Sequence, residues 1–452
     1  MVVPPESNNL LEKITETEIR TYKKRWVILI IYNLYSAANS FQWLEYSIIT
    51  NIVMKFYDVD SLDVDWTSII YMAIYPFIVI PVSYIIEKKG LRIAALIGGL
   101  GTALAAAVKV FSIRTDLFYV VLIGQAIGST AQVFVLCIPT KIAAVWFEDS
   151  EASTACALGV LGTQAGLALA FLIPPILVKN SENVVSIGSD LRVLCQGLAI
   201  FMIPVSIAIL FFFPRQPPLP PSVTQKQARK VKSKTFNEFL VSFKAAITQN
   251  AFIYHLIAYG INIGVFVSVG TLQNQLILQY FPNGEEDAGR MACISVICGI
   301  VGALLNGIFL DKTRLFRETT LFNYALTTVS VVLFMVTLLW KKLVLVYLSY
   351  AIFGCFVNCY LTVGFELAVE ITYPLDESTS SGLLNASTQA FGVFIVLMLG
   401  KLNEKFGALW SLFSQVILLL IGTYLTYRIP NVKKRQEAFS QVETEMHSIR
   451  SS

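Results

Sequence analysis

The sequence predicts an all-α membrane protein of twelve transmembrane helices, built as two similar six-helix halves. Hydrophobic residues make up 55% of the 452-residue chain and charged residues only 14%, so it holds more apolar surface than a soluble fold of this length can bury. Apolar runs of about 18 residues or more recur along the sequence, and each can cross a hydrocarbon core of roughly 30 Å as a helix. Short motifs also recur half a chain apart, which predicts the two halves.

Twelve apolar runs define the predicted helices, and polar or charged residues separate them. The predicted spans are 26–50, 67–86, 93–111, 117–146, 153–178, 191–213, 251–281, 288–310, 319–340, 342–372, 380–401 and 406–428. No small-residue cleavage site follows the first span, so we expect no removed signal peptide. The chain then divides into a tail, a first six-helix bundle, a linker, a second six-helix bundle and a second tail. These segments are residues 1–25, 26–213, 214–250, 251–428 and 429–452.

Basic residues cluster in particular loops and set the predicted orientation. The linker begins with the proline-rich stretch 214–221 and continues with the densest positive charge in the chain. The clustered cations are Lys88, Lys89, Arg92, Lys226, Arg229, Lys230, Lys232, Lys234, Lys433, Lys434 and Arg435. By the positive-inside rule these loops and both termini face the cytoplasm. Acidic loops are predicted on the other side, at Asp58, Asp60, Asp63, Asp65, Glu285, Glu286 and Asp287. We expect the cell membrane, with an organelle membrane as the alternative.

Two internal repeats support the division into halves. Ser153 and Thr154 precede Gln164 in the same way that Ser378 and Thr379 precede Gln389, 225 positions later. The loops 87–92 and 311–317 likewise share an acidic residue followed by basic ones. Parallel six-helix repeats are the architecture of the major facilitator superfamily, and the acidic-then-basic loop resembles its signature loop. This architecture predicts a substrate site near the middle of the membrane, between the halves.

A polar and aromatic face on the first span is the clearest candidate site. Its members, at helical spacing, are Tyr32, Tyr35, Asn39, Trp43, Tyr46 and Thr50. Such a wall suits an organic cation, because a quaternary ammonium binds to the faces of aromatic rings. Trp43 is then the main face. The alternative is that these rings anchor or pack the helix at the membrane interface.

Polar side chains on other spans extend the candidate site. Asn262 precedes Phe266 by four residues, as Asn39 precedes Trp43, so Phe266 is a candidate second ring. Neutral amides that can orient a ligand hydroxyl are Gln125 and Gln132 in span four and Asn385 and Gln389 in span eleven. These amides can equally form hydrogen bonds between helices.

Three carboxylates inside the spans are candidates for gating or for coupling to protons. Glu366 and Glu370 end a polar ladder on span ten, and Glu45 lies near Trp43 on another face. Ionisable groups in a membrane span are costly and often functional. A structural salt bridge is the alternative for each of them.

Several classes of function are disfavoured by the sequence. The net charge of +4 is too small and dispersed for nucleic-acid binding. Protease, serine-hydrolase and phosphate-loop motifs are missing, and neither the seven cysteines nor the two histidines have metal-site spacing. We therefore expect no enzyme, no metal and no cofactor. The expected partners are the lipid bilayer and a small organic cation or haem, with the chain acting as a monomer.

Longer motifs resemble one known family. They are the segments 39–43, 90–92, 145–156 and 370–387, within a likeness that runs from about Tyr22 to about Ile429. The sequence is identified as a member of the feline leukemia virus subgroup C receptor-related transporters, within the major facilitator superfamily. Members were first described as haem exporters and are now also regarded as choline and ethanolamine transporters. The resemblance implies facilitated, ion-independent movement of a small amine.

The resemblance also implies site residues. The family's cage tryptophan corresponds to Trp43, and its two ligand-facing glutamines correspond to Gln132 and Gln389. Its second cage aromatic, a tyrosine, aligns with Val267, so either Phe266 substitutes or one wall of the cage is missing. Glu45 stands where an amide is expected.

Three hypotheses follow for function. The leading one is alternating access around a site for choline or ethanolamine, by rocking of the two halves. The runner-up is export of haem, which usually needs an axial His, Cys or Tyr ligand. The third is a non-transporting receptor. Polar faces that converge from four spans argue against it, because a receptor role does not need them.

Overall fold

Helices are the regular elements throughout the described part of the chain, because an apolar run in a bilayer must satisfy its backbone hydrogen bonds internally. The structure is a computed structural model that describes residues 19–148, 151–222, 225, 236–313, 315–373, 375, 377–431 and 434. The predictions for the first eighteen residues, for the basic part of the linker and for most of the C-terminal tail lie outside these ranges.

Each predicted span corresponds to a helix or to a pair of helices. The first half contains α1 Lys24–Leu44, α2 Thr50–Tyr57, α3 Ser61–Lys89, α4 Leu91–Val110, α5 Phe118–Leu136, α6 Ile138–Trp146, α7 Ala152–Leu177 and α8 Val184–Phe212. The linker contains α9 Phe236–Ile247. The second half contains α10 Asn250–Leu278, α11 Glu285–Thr313, α12 Phe316–Leu339, α13 Leu343–Thr372, α14 Glu377–Phe406 and α15 Ala408–Arg428. A 3₁₀ turn, Ser47–Ile49, separates α1 from α2.

Eleven helical stretches among the described residues are long and apolar enough to cross a membrane. They are α3, α4, the pair α5 and α6, α7, α8, and α10 to α15. The remaining predicted span begins with α1, whose apolar run is diluted by Asn33, Asn39 and Gln42. The chain is a multi-pass membrane protein, and the all-α fold class is confirmed for the part of the chain that the structure describes.

Two acidic segments that the sequence placed in loops lie partly inside helices. α3 begins at Ser61 and α11 at Glu285, earlier than the predicted residues 67 and 288. Carboxylates stabilise the first turn of a helix by interacting with its dipole, so these acidic residues extend the helices. Asp65 in particular is only 1% exposed, which corrects its placement in a solvated acidic loop.

The predicted span 117–146 is broken between α5 and α6. The cause is Pro139, which has no N–H and so leaves the carbonyl of Val135, four residues earlier, without its helical donor. The Tyr32 hydroxyl donates to that carbonyl over 3.1 Å. A side chain of α1 therefore replaces the missing backbone hydrogen bond of α5.

The described helices form two compact units. Unit 1 contains Met1–Trp43, Ile80–Leu167 and Leu191–Lys234, and unit 2 contains Leu44–Val79, Ala168–Asp190 and Thr235–Ser452. Unit 2 thus combines the second half of the chain with two segments of the first half. The units therefore divide the chain differently from the sequence repeat, and the two six-helix halves stay a prediction.

Two glycines on α7 bring it close to α1 within unit 1. A Cβ at Gly166 would collide with the Ala37 carbonyl oxygen, and one at Gly162 would lie 2.7 Å from the Asn33 Cα. The Gly162 N–H also donates to Asn33 Oδ1 over 3.1 Å. The small-residue spacing of α7 thus permits backbone contact between the two helices.

Replacing Gly166 by leucine is expected to lower the thermal unfolding temperature and the detergent-extractable yield. The added side chain must push α7 away from Ala37, and overpacking of this kind costs about 1–3 kcal/mol. The matched control is Gly197→Leu, because a Cβ at Gly197 on α8 has no neighbour within 4 Å. Equal stability of the two variants would show that the α1 and α7 contact contributes little.

Candidate functional site

The face of α1 around Asn39 is built into unit 1 by hydrogen bonds. Asn39 is fully buried, and its Nδ2 donates to Thr102 Oγ1 on α4 and to the Gly128 carbonyl on α5, each over 3.0 Å. Trp43 lies one helical turn further along α1 and is 8% exposed. Gln132 lies one turn beyond Gly128 on α5 and is 1% exposed. The structure thus brings the predicted residues Asn39 and Gln132 to neighbouring turns of packed helices.

A second set of polar side chains supports the end of α1. Because α1 ends at Leu44, the Gln42 carbonyl is among the last carbonyls of the helix, which lack a helical donor. Gln125 Nε2 donates to it over 2.9 Å, and Lys109 Nζ donates to Gln125 Oε1 over 3.4 Å. Gln42 Nε2 in turn donates to the Thr102 carbonyl over 3.1 Å. These contacts connect α4, α5 and the end of α1.

The sequence analysis did not predict that Gln42, Thr102 and Lys109 form the contacts that connect α4, α5 and the end of α1. Lys109 carried a signal, since a lysine inside an apolar run is unusual, and here it is 1% exposed. Gln42 carried none, because its importance depends on where α1 ends and on the helix packed beside that end.

Three amide oxygens in unit 1 have no hydrogen-bond donor among the described residues. They belong to Asn39, Gln42 and Gln132. The orientation of the Asn39 amide follows from its neighbours: Thr102 Oγ1 gives its only proton to the Gly98 carbonyl, over 2.7 Å, and therefore accepts from Asn39. Gln42 likewise faces a carbonyl. The wall around α1 consequently presents hydrogen-bond acceptors.

The predicted residues of unit 2 lie on α10, α13, α14 and the turn after α1. Phe266 is half-buried with its ring centroid 5.9 Å from that of Phe353, and Val267 beside it is 9% exposed. Gln389 is buried with no donor to its Oε1 in the described residues, whereas Asn385 on the same helix is half-buried. Tyr46 is fully buried.

The three candidate carboxylates differ in exposure. Glu45 and Glu370 are buried, at 1% and 2% exposure, and Glu366 is exposed. Glu370 lies near the end of α13, where Lys434 donates to the Ile371 carbonyl over 3.1 Å. The predicted ladder therefore ends in a buried carboxylate, with the exposed one a turn earlier.

A polar contact joins α2 of the first half to α10 and α11 of the second half, all within unit 2. Asn51 Nδ2 donates to Glu285 Oε1 over 2.8 Å, and Asn180 Nδ2 donates to the same oxygen over 3.0 Å. Asn274 Nδ2 donates to the Ile48 carbonyl over 2.9 Å, in the 3₁₀ turn between α1 and α2. We call this group of residues the α2–α11 contact.

Buried Asp65 extends the same end of unit 2. Gln275 Nε2 donates to Asp65 Oδ1 over 2.9 Å, and Gln275 Oε1 accepts from Asn403 Nδ2 over 3.3 Å. Ser68 and Thr271 hydroxyls also meet at 2.9 Å. Polar side chains of α3 are thus bonded to α10, and α10 to α14, by neutral donors.

Comparison with known proteins identifies the family. The sequence profile of the Major Facilitator Superfamily matches residues 28–397. The choline/ethanolamine transporter flvcr2b of Danio rerio is 40% identical over 442 residues, covering 97% of this chain and 90% of the relative. The human choline/ethanolamine transporter FLVCR2 is 37% identical over 423 residues, covering 93% of this chain and 80% of the relative.

Solved structures agree on the fold. A bacterial homolog of the human lysosomal transporter Spinster, in an inward-facing and unoccupied conformation, matches with a TM-score of 0.69 at 14% identity, covering 90% of this chain and 97% of that chain. The Escherichia coli fucose:proton symporter FucP matches with a TM-score of 0.61 at 12% identity, covering 90% and 100%. These likenesses concern the fold alone. The chain is a membrane transporter, not an enzyme, and belongs to the feline leukemia virus subgroup C receptor-related family of the major facilitator superfamily.

Proposed function

We propose that the chain carries choline, and also ethanolamine, across a membrane by facilitated diffusion. Relatives that match nearly all of it are named choline/ethanolamine transporters, which supports a small organic amine as the substrate. A cation of this kind needs an aromatic face for its methyl groups and polar groups for its hydroxyl. The candidate residues supply both.

The main observation in support of the proposal is that hydrogen bonds hold the part of α1 beside Trp43 against its neighbouring helices. It lies one turn from Asn39, whose two hydrogen bonds tie α1 to α4 and α5. A quaternary ammonium has no N–H, and each ring contact contributes about 0.5–2 kcal/mol. Trp43 is the proposed main face. The further binding residues proposed are Asn39, Gln132, Gln389, Asn385, Phe266 and Tyr46.

The proposed mechanism is alternating access by rocking of the two six-helix halves. The α2–α11 contact supports it, because it connects the two halves through amide donors to one carboxylate. Each hydrogen bond to a charged group contributes about 1.5–3 kcal/mol, so a few such bonds can form and break within a cycle. Glu45, Glu366 and Glu370 are the candidates for gating or coupling.

Haem export has less support than amine transport. Haem iron usually takes an axial ligand such as histidine. His255 is fully buried, and its Nε2–H donates to the Gly364 carbonyl over 2.8 Å. That ring is therefore engaged in packing α10 against α13.

The proposed setting is the cell membrane, with the chain acting as a monomer and both termini in the cytoplasm. The basic residues of loop 87–92 support this orientation. Epitope tags at each terminus, probed with antibody before and after cell permeabilisation, test it. Labelling of intact cells would contradict it.

The experiment that tests the function is flux into liposomes reconstituted with the purified protein. Labelled choline should enter saturably, unlabelled ethanolamine should compete, and the rate should not change when a pH gradient is imposed. Empty liposomes are the control. Absence of choline and ethanolamine flux together with haem transfer would overturn the proposal, and a flux that follows the pH gradient would replace facilitated diffusion by proton coupling.

A further inference from the structure

The acceptor oxygens around α1 carry information about the substrate. Both hydrogen bonds of Asn39 Nδ2 go to protein acceptors, and Gln42 Nε2 faces the Thr102 carbonyl. Neither amide can turn over without placing its oxygen against another acceptor. Asn39 Oδ1 and Gln42 Oε1 are therefore fixed as acceptors, and Gln132, which follows Gly128 by one helical turn on α5, adds a buried Oε1 without a donor among the described residues.

These oxygens are sealed from bulk water. Asn39 and Gln42 are fully buried and Gln132 is 1% exposed, and none of the three oxygens receives a donor from the described residues. A buried acceptor without a donor is unfavourable, so a ligand that donates to it gains the whole hydrogen bond. If the ligand's donor is also a cation, the bond is about twice as strong.

Amino alcohols differ in the number of N–H donors that they can offer to these oxygens. Ethanolamine carries a primary ammonium with three N–H donors, as a lysine side chain does, whereas choline's quaternary ammonium has none. Both carry one hydroxyl, so the hydroxyl does not distinguish them. Trp43 attracts either cation through its ring. The acceptor oxygens favour only the ligand with N–H donors.

We propose that Asn39, Gln42 and Gln132 form an acceptor wall that selects amino alcohols by their number of N–H donors, so that ethanolamine is preferred to choline. The inference rests on the proposed function, because it assumes that the chain carries amino alcohols. Access to the wall depends on the conformational cycle of the carrier, since the wall is closed in this structure.

The test is a competition series against labelled ethanolamine in liposomes containing the full-length protein. The competitors are ethanolamine, N-methylethanolamine, N,N-dimethylethanolamine and choline, with three, two, one and no N–H donors. The half-inhibitory concentration should rise with each methyl group, by at least about tenfold over the series. A flat series, or one in which choline competes best, would overturn the inference.

Variants identify the responsible oxygens. Gln42→Met and Gln132→Met each remove one acceptor at similar volume and should reduce the ethanolamine-to-choline ratio severalfold. The control is Gln415→Met, since Gln415 is a buried glutamine on α15 in unit 2, outside the acceptor wall, and its Oε1 also lacks a donor among the described residues; this change should leave the ratio as in the wild type even if the yield falls. An unchanged ratio in both acceptor variants would overturn the inference. Saturable uptake of neither amine by the wild type would instead overturn the proposed function.

Discussion

Replacing Trp43 by alanine is expected to reduce saturable choline uptake to the level of empty liposomes. Choline offers methyl groups and a diffuse charge, for which an indole face is the strongest partner among the side chains. A dry cation–π contact of about 2 kcal/mol or more corresponds to roughly a thirtyfold change in affinity. Truncation also leaves a cavity beside Asn39, so the remaining polar groups lose their alignment with the ligand.

Two further variants separate binding from folding. Trp43→Phe keeps a ring and should retain part of the uptake, whereas a purely structural role would make the phenylalanine and alanine variants differ only in yield. The control is Trp410→Ala, because Trp410 on α15 is 58% exposed. Uptake should be measured per reconstituted protein molecule. Wild-type uptake by Trp43→Ala would remove the aromatic face from the mechanism.

Covalent locking of the α2–α11 contact is expected to stop transport completely and reversibly. The side chains of Asn51 and Glu285 meet at 2.8 Å. Cysteine side chains are shorter, so cysteines at both positions are to be bridged by a short bifunctional methanethiosulfonate reagent, whose disulfide links are cleaved by reduction. In the proposed alternating access, rocking of the two halves requires this contact to open. Choline uptake by the double-cysteine variant should therefore fall to background after cross-linking and return after reduction.

A second cysteine pair serves as the control for locking. Thr337 Oγ1 on α12 and Ser349 Oγ on α13 meet at 2.8 Å, and both helices belong to the second half. A bridge between cysteines at these positions should be tolerated, because helices that move together need not separate. Each single-cysteine variant controls for reaction at the native thiols. Continued transport through a fully bridged pair at 51 and 285 would exclude rocking about this contact.

Most of the fold could be predicted because an apolar run in a bilayer must satisfy its backbone hydrogen bonds internally, and a helix does so. Errors arose where a local feature depended on a partner. Pro139 is visible in the sequence, but whether it bends or breaks a helix depends on what satisfies the Val135 carbonyl. Asp65 reads as a solvated acidic residue, and only the packing of α10 against α3 reveals that Gln275 bonds it in a buried position.

The candidate site was predictable to the extent that helical spacing reveals a face. Helical spacing predicts that Asn39, Trp43 and Gln132 face inward, as polar residues in a membrane span must, and all three are buried. The supporting role of Thr102 could not be predicted, since a threonine has many innocuous positions in a membrane helix, whereas Lys109 stands out in the sequence as a lysine inside an apolar run. Their roles depend on contacts with side chains of other helices, which the sequence does not specify.

The hydrogen bond from Tyr32 to the Val135 carbonyl makes two distant positions depend on one another. Tyrosine at 32 is needed because residue 139 is proline, and a residue with an N–H at 139 would compete with the phenol for the same oxygen. In related carriers, substitutions at these two positions should therefore occur together. Phenylalanine at 32 should coincide with a non-proline residue at 139. An alignment of related carriers can therefore test this contact without a transport assay.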